Sequence, residues 1–179
     1  MQKLGTVLLF VLLIYAGTIV EFPIPGTTIM QTGQTIAVLC AGALLGPALG
    51  AASVALYVLI GMLGVPVFSE GASGLAVLLG PSGGYLLGFI IAAALVGHFK
   101  EKGWSDRFLT GALSMLAGHA VILLCGWTWM STIMGISAAY DNGIAPFYLG
   151  SIVKSLLAIA IVLVTSKLVS LSIQDTVQP

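Results

Sequence analysis

Charge is what this sequence has least of: only 7% of its 179 residues are Asp, Glu, Lys or Arg, against about 25% in a soluble domain. That scarcity excludes a nucleic-acid binder, which needs a basic patch. With 59% hydrophobic residues and a mean hydropathy of +1.13, a disordered chain is excluded as well. Cysteine is also scarce. Cys40 and Cys125 both lie in apolar runs and read as small buried hydrophobes, not as a disulfide framework. No G-x-x-x-x-G-K-S/T phosphate loop is present, since no lysine follows the Gly80-Pro81-Ser82-Gly83-Gly84 turn. There is no His/Cys/Glu cluster at metal-ligand spacing and no activated nucleophile. The chain therefore reads as a membrane protein that is not an enzyme and carries no cofactor.

Apolar stretches of membrane-crossing length are what the sequence has instead. Six are read: about Leu4 to Val20, Gln31 to Leu45, Ala48 to Leu63, Gly84 to Phe99, Phe108 to Met130 and Phe147 to Val169. The first lacks a small-residue cleavage flank and reads as an uncleaved helix rather than a signal peptide. Lys3, Lys100, Lys102, Arg107 and Lys167 all fall on one side of a six-span chain, and short cytoplasmic loops retain positive charge. The opposite loops, Glu21 to Gln34, Val65 to Gly83 and Ser131 to Pro146, hold no Lys or Arg and one acid each: Glu21, Glu70 and Asp141. Both termini are thus expected in the cytoplasm and the long, Gly/Pro/Ser/Thr-rich loops outside, folded back to line a cavity. The apolar piece Gly74 to Leu79 is expected to re-enter and carry Ser73 and the Pro81 to Gly84 turn toward the centre. Residues 1–179 read as a single all-α, six-helix domain with an outward-facing pocket. Six spans are too few for the inverted repeats of secondary transporters, so transport would draw its energy from a partner. Glycines at spacing four, Gly42, Gly46 and Gly50, suit close helix packing.

The sixth basic residue, Lys154, does not fit the topology. It follows Gly150 and Ser151 inside the last apolar run, roughly 12 Å below the outer edge at 1.5 Å per residue. Two readings are open: a lysine that snorkels to the headgroups, or a cation in an outward cavity that receives an anionic ligand group, with Glu70 and Asp141 as internal partners. Trp127, Trp129, Tyr140, Tyr148, Tyr85 and Phe68 lie near the outer ends of the spans, either as an interfacial belt or as pocket walls. Their company of Gln31, Gln34, Asn142, Thr32, Ser69 and Ser73 suits a pocket for a small, partly apolar organic ligand. His119 reads as a hydrogen-bonded packing residue and His98 as interfacial.

The motifs Pro23-Ile24-Pro25 with Gln31-Thr32-Gly33, Ala41 to Pro47, Gly61 to Phe68 and Leu79 to Tyr85 stand in one order along the chain. With Gly126 to Trp129, Gly143 to Phe147, and Gly150 with Lys154, this series resembles the BioY family, the biotin-binding S components of energy-coupling factor (ECF) transporters. The resemblance implies a six-helix cell-membrane protein that captures biotin from outside and works with two cytoplasmic ATPases and a transmembrane coupling subunit, ATP being used only by those ATPases. Lys154 matches the family's ligand-contacting lysine. Where the family usually has an acid three residues earlier this chain has Ser151, a neutral acceptor on the same helix face. Ala72 and Leu86 stand where some members carry an asparagine and an arginine. In the first helix, Gly5, Leu9 and a lone Ala16 replace closely spaced alanines.

The expected substrate-binding residues are therefore Lys154, Ser151, Gln31, Ser73, Ala72, Phe68, Tyr85, Trp129 and Asn142. Biotin is the favoured ligand. A related carboxylate such as dethiobiotin or lipoate is the alternative, and a structural membrane protein with a snorkelling Lys154 is the reading from another class.

Overall fold

A segment surrounded by hydrocarbon must satisfy its backbone polar groups internally, so long apolar runs become helices. The computed structural model describes residues 2–22 and 30–177. Helices α1 (Gln2–Ile19), α2 (Gln34–Leu45), α3 (Pro47–Met62), α5 (Gly83–Glu101), α6 (Phe108–Met134) and α8 (Tyr148–Val177) follow the six apolar runs; α4 (Leu75–Leu79) and α7 (Ile136–Gly143) are short additions. The one sheet among the described residues is an antiparallel ribbon of β1 (Glu21–Phe22) and β2 (Gln31–Thr32), with Glu21 opposite Thr32. The Pro23 to Gly26 turn expected after the first run lies outside the described residues.

Three helical stretches, Gly83–Glu101, Phe108–Met134 and Ile136–Ser172, are long and apolar enough to cross a membrane. The other three are apolar but shorter. The 12 residues of α2 are the extreme case. They rise only about 18 Å against a hydrocarbon layer of about 30 Å.

Helix α5 is the centre of the bundle, packed on α6, α2, α3 and α4. Its buried face runs through Tyr85, Phe89, Ala92, Ala93 and Val96. At its far end the approach is backbone to backbone: a Cβ on Gly42 of α2 would strike the Ala93 carbonyl, and one on Gly50 of α3 would lie 2.8 Å from the Gly42 Cα. Between α2 and α3 the chain reverses at Gly46, whose φ of 84° suits glycine, and Pro47 then opens α3 with its ring preset for a first turn. The Lys100 ammonium, half-buried in the last turn of α5, donates to the Leu44 carbonyl at the end of α2. It thereby supplies a donor to a carbonyl that has no partner within its own helix.

Two loops differ from the irregular backbone expected of them. Residues 136–143 form α7, started after Gly135 at φ 86°. The apolar piece 75–79 forms α4 against α5 and α3. Cys40 is buried and Cys125 partly so, and both are free thiols.

Candidate functional site

At the end of the bundle where α2, α5 and α8 begin, the described residues enclose a cavity of about 180 Å³. Helix α8 contributes Ser151 and Lys154, one turn apart on one face, and α5 contributes Tyr85, Leu86 and Phe89. From α2 come Gln34 and Thr35, from α6 His119, Ile122 and Leu123. The segment 65–72 closes one side with Phe68, Ser69, Glu70 and Ala72.

The Lys154 ammonium donates to the Thr32 carbonyl at 3.2 Å. The ribbon, paired at Thr32, carries that oxygen over the start of α8. The pairing with Glu70 or Asp141 expected from the sequence is not what the structure has. Neither acid makes an ion pair with Lys154 among the described residues; Glu70 lines the cavity, and Asp141 sits on the exposed side of α7. Lys154 thus keeps a neutral, main-chain partner that an incoming anion can replace.

Below the lysine a polar bridge joins three helices. His119 on α6 is buried, with Nδ1 2.7 Å from the Ser155 hydroxyl on α8 and Nε2 3.2 Å from the Thr35 hydroxyl on α2. A neutral imidazole has one donor and one acceptor nitrogen, so one hydroxyl receives its proton and the other gives one. His119 is therefore the hydrogen-bonded packing residue read from the sequence, and it also forms part of the cavity wall.

The walls are aromatic and braced from behind. Phe68 is 4% exposed and lies edge-on to Tyr57, with ring centroids 5.8 Å apart. It fits because Gly61 has no side chain, since a Cβ there would strike the tip of the Phe68 ring. The Tyr57 hydroxyl donates to the Val67 carbonyl at 2.6 Å and accepts from the Gln34 amide at 2.6 Å. Tyr85 is anchored by its hydroxyl, which donates to the Gly143 carbonyl at 2.7 Å.

Of the residues expected from the sequence, Lys154, Ser151, Ala72, Phe68 and Tyr85 come together around this cavity. Four others stand apart from its lining. Gln31 packs over Gly150 and Ser73 is half-buried in the loop. The Trp129 indole donates to the Gly80 carbonyl at 2.9 Å, and the Asn142 amide folds back on Ala138 of its own helix at 2.8 Å. Tyr140 and Tyr148 hydrogen-bond to each other on the exposed side, and Trp127 reaches the Ile136 carbonyl. Thr35, Phe89 and Ile122 line the cavity without having been singled out, and Phe147, noted only as the end of the Gly143 to Phe147 motif, lines it too. Of the first three, only Phe89 had a sequence signal, one helical turn after Tyr85 on the same face.

The sequence profile described as the BioY family matches residues 1–171. The chain belongs to the BioY family. It is similar to the probable biotin transporter BioY of Pyrococcus horikoshii, 36% identical over 163 residues, which are 89% of this chain and 93% of that one. It is likewise 33% identical to the biotin transporter BioY of Thermotoga maritima, across 94% and 98% of the two chains. A crystal structure of the S-component for biotin from an ECF-type ABC transporter superposes with a TM-score of 0.83 at 25% identity, covering 93% of this chain and 91% of that one. In this BioY-family chain the neutral Ser151 and the apolar Ala72 and Leu86 all face the cavity. The lining of the BioY pocket is thus polar around Lys154, His119 and Glu70 and apolar along α5.

Proposed function

We propose that this chain is the biotin-capturing S component of an ECF transporter, a transport component and not an enzyme, working with a transmembrane coupling subunit and two ATPases. The observation that carries the proposal is Lys154: a cation that among the described residues is held by a main-chain carbonyl alone, in a partly open, largely apolar cavity, in a chain of the BioY family. A charged group in such surroundings is costly, and an ionisable residue inside a span marks a functional site by default. A ligand carboxylate is a better partner for it than the neutral Thr32 carbonyl. The aromatic and aliphatic walls suit the ring and chain of the vitamin.

The topology that goes with this reading has six crossings, with both termini in the cytoplasm and the pocket outside, in one domain in the cell membrane. The arrangement of charge supports it. Cavity residues lie at the starts of α2, α5 and α8, whereas Lys100 and Lys102 end α5 and Lys167 lies far down α8. Among the described residues, Lys154 is the only Lys or Arg that lines the cavity. Positive charge is therefore concentrated at the other end, as cytoplasmic retention requires.

Titration of the purified full-length protein with labelled biotin tests the proposal. Saturable binding is expected, weakened by about 10- to 100-fold in Lys154→Ala, the value of one charged hydrogen bond lost. Absence of saturable binding overturns it. The apolar Leu86, Phe89 and Ile122 and the neutral Ser151 favour a second ligand class of related carboxylates: lipoate, which lacks the ureido group, or dethiobiotin, which keeps it and lacks only the thioether sulfur. Competition of each against labelled biotin ranks the three.

A further inference from the structure

Glu21 opens the ribbon directly after α1, and one oxygen of its carboxylate accepts two hydrogen bonds from the 69–71 turn. The Ser69 hydroxyl donates at 2.7 Å and the Glu70 N–H at 2.8 Å. Glu70 is the one non-glycine residue with positive φ among the described residues, at 58°. That conformation is disfavoured for a residue with a Cβ and persists where the surroundings hold it. A charge-assisted bond to its own N–H is such a hold.

What the turn carries gives the bond a role. Phe68 and Glu70 line the main cavity on one side, and on the other they line a second hollow of about 270 Å³ bounded by Tyr15, Thr18, Ile19 and Pro66. Glu21 borders this second hollow. The wall between the two spaces is therefore the short segment that Glu21 pins. Across the ribbon Glu21 faces Thr32, the residue whose carbonyl occupies the Lys154 ammonium. Lysine, ribbon, carboxylate and wall form one connected series.

We propose that Glu21 is a positioning residue for ligand exchange: its carboxylate latches the 68–70 wall shut, and the cavity opens into the hollow beside α1 when that latch releases. The proposal rests on the ligand-binding reading above, and two measurements on the purified full-length protein separate the two. Hydrogen–deuterium exchange across residues 66–74, without ligand, is expected to quicken by about tenfold or more in Glu21→Ala, which removes both charge-assisted bonds. Glu21→Gln keeps an acceptor oxygen and should recover most of the protection. Ser69→Ala removes one of the two bonds, is the milder change if Glu21→Ala folds poorly, and should give a smaller acceleration. In stopped-flow binding of labelled biotin, the association and dissociation rates should rise together in Glu21→Ala, leaving the affinity less changed than either rate. Unchanged exchange overturns the latch, and so does faster dissociation without faster association, which would make Glu21 a support of the bound ligand. If the unaltered protein binds no biotin, the function falls while the exchange comparison still decides the latch.

Discussion

The two ends of α5 are packed in opposite ways. In its first two turns Tyr85, Leu86 and Phe89 face a void that separates α5 from α8, with Tyr85 anchored through its hydroxyl, while Gly84 and Gly88 let the opposite side meet the α6 backbone at Cys125 and Ile122. In its last turns Ala93 and Gly97 meet the backbones of α2 and α3, and no side chain fits between them. A pocket in a small bundle needs such an asymmetry. Close helix contact at one end supplies the dispersion contacts that hold a membrane bundle together in the absence of a hydrophobic drive. At the other end large braced residues keep α5 and α8 apart without collapse.

The sharpest way to break this contrast is to put volume into the tight end. Gly42→Leu should cost at least about 3 kcal/mol, because the obstacle is the Ala93 backbone, which cannot swing aside. A large fall in the melting temperature in detergent, with loss of the monodisperse peak, is the expected result. At the open end the polar bridge is the element to test. His119→Phe strips the Ser155 and Thr35 hydroxyls of their partner and should cost about 1–2 kcal/mol, since both can turn back to carbonyls of their own helices. Biotin affinity measured by titration should fall several-fold with it, as Thr35 faces the cavity. The smallest effect is expected at Asn142→Ala. Its amide bonds only within α7 and is absent from the lining, so binding should change less than about twofold and stability by about 0.5 kcal/mol or less.

The tight end was legible in the sequence, and the open end only partly so. Gly42 and Gly50 do mark close backbone contacts, because a missing side chain acts locally, whereas Gly46, read with them, makes the turn between α2 and α3. The apolar run read from Gly84 to Phe99 became Gly83–Glu101, and that from Phe147 to Val169 became a helix continuing to Val177. Helix α7 was missed because its eight residues, following Gly135 and including Asp141, Asn142 and Gly143, are too few and too polar to stand out as a span and read as loop. At the site, Lys154 stands out by its chemistry, while Thr35 and Ser155 are hydroxyls like many others. Their meeting at His119 depends on how three helices are rotated about their axes, which no single segment encodes. Trp129 and Asn142 have binding-type side chains, yet their hydrogen-bonding groups are occupied by nearby carbonyls.

The contact between Lys100 and Leu44 makes two neighbouring amines chemically unequal. The Lys100 ammonium is engaged at the end of α2 and half-covered, whereas Lys102, two residues on, is exposed. An amine-acylating reagent applied from the side of the chain that carries both should therefore modify Lys102 first. The reactivity of Lys100 would then report when the short second helix comes away from the fifth, giving a covalent probe at the end of the molecule farthest from the ligand.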